Sequence, residues 1–379
     1  SVSAQRMIAG EMMSQAYYDT NPPLSMIIYI IPAWISGYFN IPLHYPLGLY
    51  SLALVLISCF LLNAIIVKIR LLPDLDRRLF MSAYLMVNTL CMNLFFGSKD
   101  HYLILALAPF CLLQYAITHK YEIPRHIQHT VLALGSFFIM LKPYYYIVPA
   151  FMLLHRMIIN RRLFVLFDRD SLYLAVAAIL YAVIIYVFFW DFITVVIPEI
   201  FSLYLNIKYE GMFFSTILYA DFTMLVISLS LLIRKDPPKL LLFFCAIGFL
   251  CLLGFNIQSK GFFYHLTPWL VCFASALSLF LYYLISKTIS FLGIKEKASP
   301  LIALGIIVLY SGVFFKYFVI PNMYISHEEY KKTQLVKLVS ENVPEGGAYF
   351  MFDWFSDIPQ QLHIYTGRKN ASRFPFFMY

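Results

Sequence analysis

Residues 47–67 run for 21 positions without a charged side chain. A helix of that length crosses the roughly 30 Å hydrocarbon layer of a bilayer. Comparable apolar runs recur at 79–96, 102–118, 129–141, 144–158, 171–190, 213–233, 240–257, 264–286 and 299–320. The composition agrees: the chain is 61% hydrophobic and 13% charged, with a mean hydropathy of +0.75. Soluble domains lie nearer half apolar and about a quarter charged. The fold class is therefore an all-α polytopic membrane protein of roughly ten helical spans. The runs 129–141 and 144–158, divided by Lys142-Pro143, are short for full crossings. They read as a broken or re-entrant hairpin sheltered by protein.

Charge placement sets the topology. A net charge of +8 in a soluble chain would point to nucleic acid, but here the basic residues follow the loops. One side carries sixteen Lys and Arg, among them Lys68, Arg77, Lys120, Arg156, Arg162 and Lys239. The other carries five up to residue 315, namely Arg6, Lys99, Lys142, Lys208 and Lys260. That asymmetry puts the first side in the cytoplasm, and no nucleic-acid partner is expected. It also decides residues 24–40, an apolar run with Tyr29, Pro32, Trp34 and Tyr38. Counting it as a span would invert every later loop, so it reads as an interfacial helix on the outer face. The expected organisation is an outer first loop and juxtamembrane helix over 1–46, a transmembrane domain over 47–321, and an outer α/β segment over 322–379. In the first loop a short helix is expected through Ala4–Ser14, and in the last segment a helix from the capping box at Ser326–Glu329 to Asn342, then a strand over Ala348–Asp353. Both chain ends read as incomplete. The six cysteines all lie in apolar runs, with no metal-type spacing and no disulfide framework.

This topology gathers ionisable residues at the outer helix ends. Asp19 stands in Tyr17-Tyr18-Asp19-Thr20-Asn21-Pro22-Pro23-Leu24, in the first loop. Lys99, Asp100 and His101 open the span 102–118, Lys142 marks the hairpin tip, and Lys260, Tyr264 and His265 open the span 264–286. An ionisable group beside lipid is costly, so each is a functional candidate. A carboxylate can deprotonate an acceptor hydroxyl, while Lys and His can hold a departing phosphate. Structural alternatives stand beside these roles: Asp19 and Asp100 suit helix N-caps, Lys99 and Lys142 suit snorkelling at the headgroups, and His265 suits a wet boundary. Asp221 is a further carboxylate inside a span, Asp191 and Glu199 flank an amphipathic stretch at 192–210, and Asn370-Ala371-Ser372 matches a glycosylation sequon that chance also produces.

Four stretches in this order resemble the GT-C superfamily of polyprenyl-phosphate-sugar-dependent glycosyltransferases, in the bacterial branch related to protein mannosyltransferases and lipid A aminoarabinose transferases. They are Ile8-Ala9-Gly10 through Tyr17–Leu24, Gly97-Ser98-Lys99-Asp100-His101, Leu141-Lys142-Pro143-Tyr144, and Ser259-Lys260-Gly261-Phe262-Phe263-Tyr264-His265-Leu266-Thr267-Pro268. The resemblance implies an inverting transferase facing the outside of a bacterial inner membrane. In it Asp19, with Asp100, activates the acceptor, while Lys260 with Tyr264, His265, Lys99, His101 and Lys142 binds the donor. It implies a polyprenyl-phosphate sugar as donor and a glycolipid, polysaccharide or protein as acceptor. A divalent metal held by Asp19 and Asp100 is a further expectation, with no other cofactor. The family's other acidic residue of the first loop would fall before Ser1. A transporter or flippase of a lipid-linked anionic saccharide would also want a cationic pocket among many helices, but its usual internal repeat is not visible here. A non-catalytic membrane subunit that keeps the fold is the third class.

Overall fold

The structure is a computed structural model, and it describes residues 2–16, 21–92, 95–202, 212–233, 239–258, 263–291, 334–344, 347–349 and 369–370. These residues are overwhelmingly helical. Five helices are long and apolar enough to cross a membrane, over His44–Ile69, Lys99–Thr118, Arg169–Phe188, Lys239–Gln258 and Thr267–Thr288. The expected spans at 47–67, 102–118, 171–190, 240–257 and 264–286 fall on them. Those at 79–96, 129–141, 144–158 and 213–233 fall on other helices, and 299–320 lies outside the described residues.

The chain divides into two compact units. The larger takes residues 51–178 and 208–321. In it α5 (His44–Ile69) continues from the other unit, followed by α6 (Asp74–Met86), a π-turn at Val87–Cys91, α7 (Lys99–Thr118), α8 (Arg125–Ile139), a 3-10 turn at Pro143–Tyr146, and α9 (Ile147–Asn160). A second 3-10 turn at Leu163–Phe167 leads into α10 (Arg169–Phe188), whose residues from 179 on belong to the other unit. The unit is completed by α12 (Met212–Ile233), α13 (Lys239–Gln258), a 3-10 turn at Phe263–Leu266, and α14 (Thr267–Phe291). The break at Lys142-Pro143 is thus a 3-10 turn between two short helices, with Pro143 at its first position, where a missing N–H costs nothing.

Burial explains the order of these helices. α7 is apolar on every side and 89% of its central window is buried, so it sits in the middle of its unit, packed by α8, α9 and α14. α13 and α14 pack along each other, and α12 packs on both. α10 is the opposite case: more apolar still, yet only 6% of its window is buried. Val176, Ile179, Leu180, Val183 and Val187 stand more than half exposed, as on a helix that faces lipid. Some polar groups within the apolar helices pair with one another. Ser51 and Tyr102 hydroxyls meet at 2.7 Å, and Ser58 Oγ donates to the Leu105 carbonyl at 2.6 Å.

Hydrogen bonds gather the helix ends of the larger unit into two sets. Asp100, Lys142 and His265 meet at one set of helix ends. At the other set, Tyr282 donates to Asp76 at 2.7 Å, and Arg156 donates to Asp168 and Asp170 at 2.6 and 2.7 Å. Arg70, Lys120 and Arg161 follow the ends of α5, α7 and α9 there, all three in the left-handed region.

The smaller unit takes residues 1–50, 179–207 and 322–379. It contains α1 (Val2–Ile8), α2 (Met13–Ala16), α3 (Leu24–Ile27), α4 (Ile30–Phe39), a π-turn at Phe192–Val196, and α11 (Ile197–Ser202). The helix expected through Ala4–Ser14 is two pieces, because Gly10 adopts φ +78° and breaks it. Residues 24–39 are 16 helical or turn positions. That spans about 24 Å, short of the hydrocarbon layer. Met13, Met26, Phe189, Phe192 and Val196 form its core. Toward the chain's end, α15 (Gln334–Asn342) precedes β1 (Ala348–Tyr349) and β2 (Lys369–Asn370), which pair in parallel with Ala348 opposite Lys369. The expected capping box at Ser326–Glu329 lies outside the described residues.

Candidate functional site

The site is built where four chain segments of the larger unit end together. The first is the start of α7. Gly97, at φ +77°, turns the chain into it, and an added Cβ there would meet Ser51 Oγ at 2.7 Å. Ser98 is the N-cap: its Oγ accepts the His101 N–H at 3.2 Å. Asp100, expected as an alternative cap, is instead the second helical residue, and its side chain turns into the protein with 0% exposure. His101 is equally buried and accepts the Gly97 N–H on Nδ1 at 3.2 Å.

Lys142 comes from the second segment, just before the Pro143–Tyr146 turn. Snorkelling to the headgroups is ruled out for it, since the residue is 1% exposed. Its Nζ lies 2.8 Å from Asp100 Oδ1. At this separation the Coulomb attraction is about 6 kcal/mol for an effective dielectric constant of about 20. Desolvating both charges offsets much of it, so the pair is better read as held by its surroundings than as a source of stability. Asp100 Oδ2 has no hydrogen-bond partner among the described residues.

His265 comes from the third segment, the Phe263–Leu266 turn, and Gln258 from the fourth, the last residue of α13. Lys142 Nζ lies 2.5 Å from His265 Nδ1, and Gln258 lies 3.0 Å from His265 Nε2. Tyr145 fixes the turn itself by donating its hydroxyl to the His265 carbonyl at 3.0 Å. Burial first, and then the Lys142 ammonium, push the His265 imidazole down from its ordinary value to about 4. It is neutral at physiological pH.

Three of the residues expected from sequence therefore meet: Asp100, Lys142 and His265. Lys99 stands half-buried beside them, near enough for its charge to act on His265. The helix ends do not hold these residues at a water-facing level, because all three central side chains are buried. The cause is the all-round burial of α7, which carries Asp100 inward. Asp19 and Lys260 lie outside the described residues, as does the Tyr264 side chain. Asp221 is exposed on α12 and joins no cluster. Asp191 has a local task, accepting the Ser14 N–H at 2.8 Å near the start of α2.

Sequence reasoning missed Gln258 and Tyr145. Gln258 carried a signal, a polar amide directly after an apolar run, but Tyr145 is one of 29 tyrosines and nothing marked it. Of the expected metal pair, Asp19 lies outside the described residues, and Asp100 meets the Lys142 ammonium on Oδ1. Among the described residues no three His, Cys, Asp or Glu side chains gather in a metal-binding group. Comparisons with family models, with curated protein sequences and with solved structures return no match.

Proposed function

We propose that the chain is an integral-membrane glycosyltransferase of the GT-C kind, with roughly ten helical spans, that moves a sugar from a polyprenyl-phosphate carrier to an acceptor hydroxyl at the outer face of a bacterial inner membrane. The observation that carries the reading is the buried Asp100–Lys142–His265 set, at converging helix ends in an apolar helical unit. A lone buried lysine sheds its proton. With Asp100 at 2.8 Å and a neutral imidazole accepting from it, Lys142 keeps its charge in an apolar surround. That charge suits a lipid phosphate, whose negative charge grows as the sugar–phosphate bond breaks.

In this mechanism Asp19 removes the proton of the acceptor hydroxyl, whose oxygen attacks the anomeric carbon as the phosphate leaves. Lys142 and Lys260 stabilise the leaving phosphate, and Asp100 orients Lys142 rather than acting as the base. A transporter of a lipid-linked anion is the second reading. The depth of the Asp100–Lys142 pair favours it, since buried intramembrane ion pairs also mark transport pathways.

The test uses the full-length protein in lipid with polyprenyl-phosphate sugars as donors and membrane extract as acceptor, with and without a chelator. Sugar release should fall about a hundredfold or more in Asp19→Asn, the scale of a lost general base. Lys142→Ala should fall comparably, the scale of a lost electrostatic donor. No release by the parent, with saturable uptake of the donor into sealed vesicles, would replace the transferase by the transporter.

A further inference from the structure

Two contacts of the His265 ring together determine something neither determines alone. Nδ1 faces the Lys142 ammonium at 2.5 Å, and an ammonium only donates. Nδ1 must therefore carry the lone pair. An imidazolium at that distance from an ammonium would set two like charges side by side in a buried site. A neutral Lys142 beside an imidazolium, with His265 Nδ1 at 3.7 Å from Asp100 Oδ1 as the carboxylate's cation, would leave the proton on the weaker base, since an amine holds it about four units more firmly than an imidazole. The remaining state is a neutral ring with its proton on Nε2. That nitrogen then donates, and the group 3.0 Å away must accept.

As placed, the Gln258 amide nitrogen occupies that position, which would set two donors against each other. Its Oε1 is buried and has no hydrogen-bond partner among the described residues. A half-turn of the amide cures both defects, bringing Oε1 onto the Nε2 proton. We propose that Gln258 is a positioning residue: by accepting the Nε2 proton of His265 it holds the ring in the one tautomer that presents Nδ1 to Lys142. The line of groups then runs amide, imidazole, ammonium, carboxylate, from the end of α13 to the start of α7. The assignment rests on the site's geometry, and its link to the lipid phosphate rests on the transferase reading.

The experiment separates the two. The full-length protein, labelled with 15N-histidine and placed in lipid nanodiscs, reports the His265 tautomer by nitrogen chemical shifts whether or not it transfers a sugar; His265→Gln identifies the resonance. The parent at neutral pH should show the Nε2-protonated neutral ring, in excess over the other tautomer by about tenfold or more, the scale of one buried hydrogen bond. Gln258→Leu should lower that ratio about tenfold. Gln258→Glu should keep the tautomer, because a carboxylate also accepts, and should make the ring titrate at higher pH. An Nδ1-protonated ring or an imidazolium in the parent would overturn the assignment, as would an unchanged ratio in Gln258→Leu. Should Gln258→Leu not fold, Gln258→Glu decides: titration unchanged from the parent sinks the proposal.

Discussion

At the scale of single residues, the site is a balance that one truncation upsets. Lys142→Met leaves the Asp100 carboxylate, 0% exposed, without its cation. Removing one member of a buried pair costs about 3–5 kcal/mol. The midpoint of denaturant unfolding in detergent should fall accordingly, while Lys142→Met combined with Asp100→Asn should recover part of the loss. Equal losses in the single and double variants would mean that the pair contributes nothing. His265 adds a dependence on pH. Its folded value of about 4 lies below the ordinary value of 6.5, so between them the unfolded chain binds the extra proton. Stability is therefore fully present above about 6.5 and declines as pH falls toward about 4. Thermal unfolding followed at stepped pH should show this decline in the parent, and His265→Gln should flatten it.

Elements meet at positions where no further atom fits. Gly135 of α8 lies against Phe110 of α7, and an added Cβ would come within 2.4 Å of Phe110 Cδ2 and 2.8 Å of its Cβ. Phe110 is fully buried and has nowhere to go. Gly135→Ala should destabilise the unit by about 1–3 kcal/mol, read from the shift of its unfolding midpoint. The opposite sign is expected at two helix ends. Lys120 and Arg161 hold φ +59° and +49° after α7 and α9. A left-handed residue with a side chain is strained by about 1–2 kcal/mol, partly offset by the entropy that glycine loses on folding. Lys120→Gly and Arg161→Gly should each raise the midpoint slightly, by up to about 1 kcal/mol. That these ends carry basic residues rather than glycine fits the sidedness of the charge, which asks for cations there.

For the whole molecule, the property open to test is which helix ends face out. Within the larger unit, Pro143 borders the Asp100–Lys142 site and Lys120 stands at the opposite ends of the helices. A membrane-impermeant thiol reagent should label Pro143→Cys on intact cells, and Lys120→Cys only after the membrane is opened. The reverse pattern would invert the topology and with it the outward-facing transferase. The native cysteines in the described residues are mostly buried, so background labelling should be low.

By itself, the amino-acid sequence determined the features that depend on transfer free energy and local geometry. Five of the apolar runs made helices long and apolar enough to cross a membrane, and 24–40 made a shorter one. Lys142-Pro143 broke its hairpin, and Asp100, Lys142 and His265 stood out because charge among apolar residues is rare. Burial could not be read this way, since both α7 and α10 are apolar enough to cross a membrane yet one is enclosed and the other exposed. That difference arises from which neighbours pack on each helix, a matter of contacts distant in sequence. The same contacts turned Asp100 from an outer helix cap into a buried partner of Lys142, 42 positions on, and brought Gln258 and Tyr145 against His265. A side chain's composition and spacing state what it can do; only the packing of four separate chain ends decided what it touches.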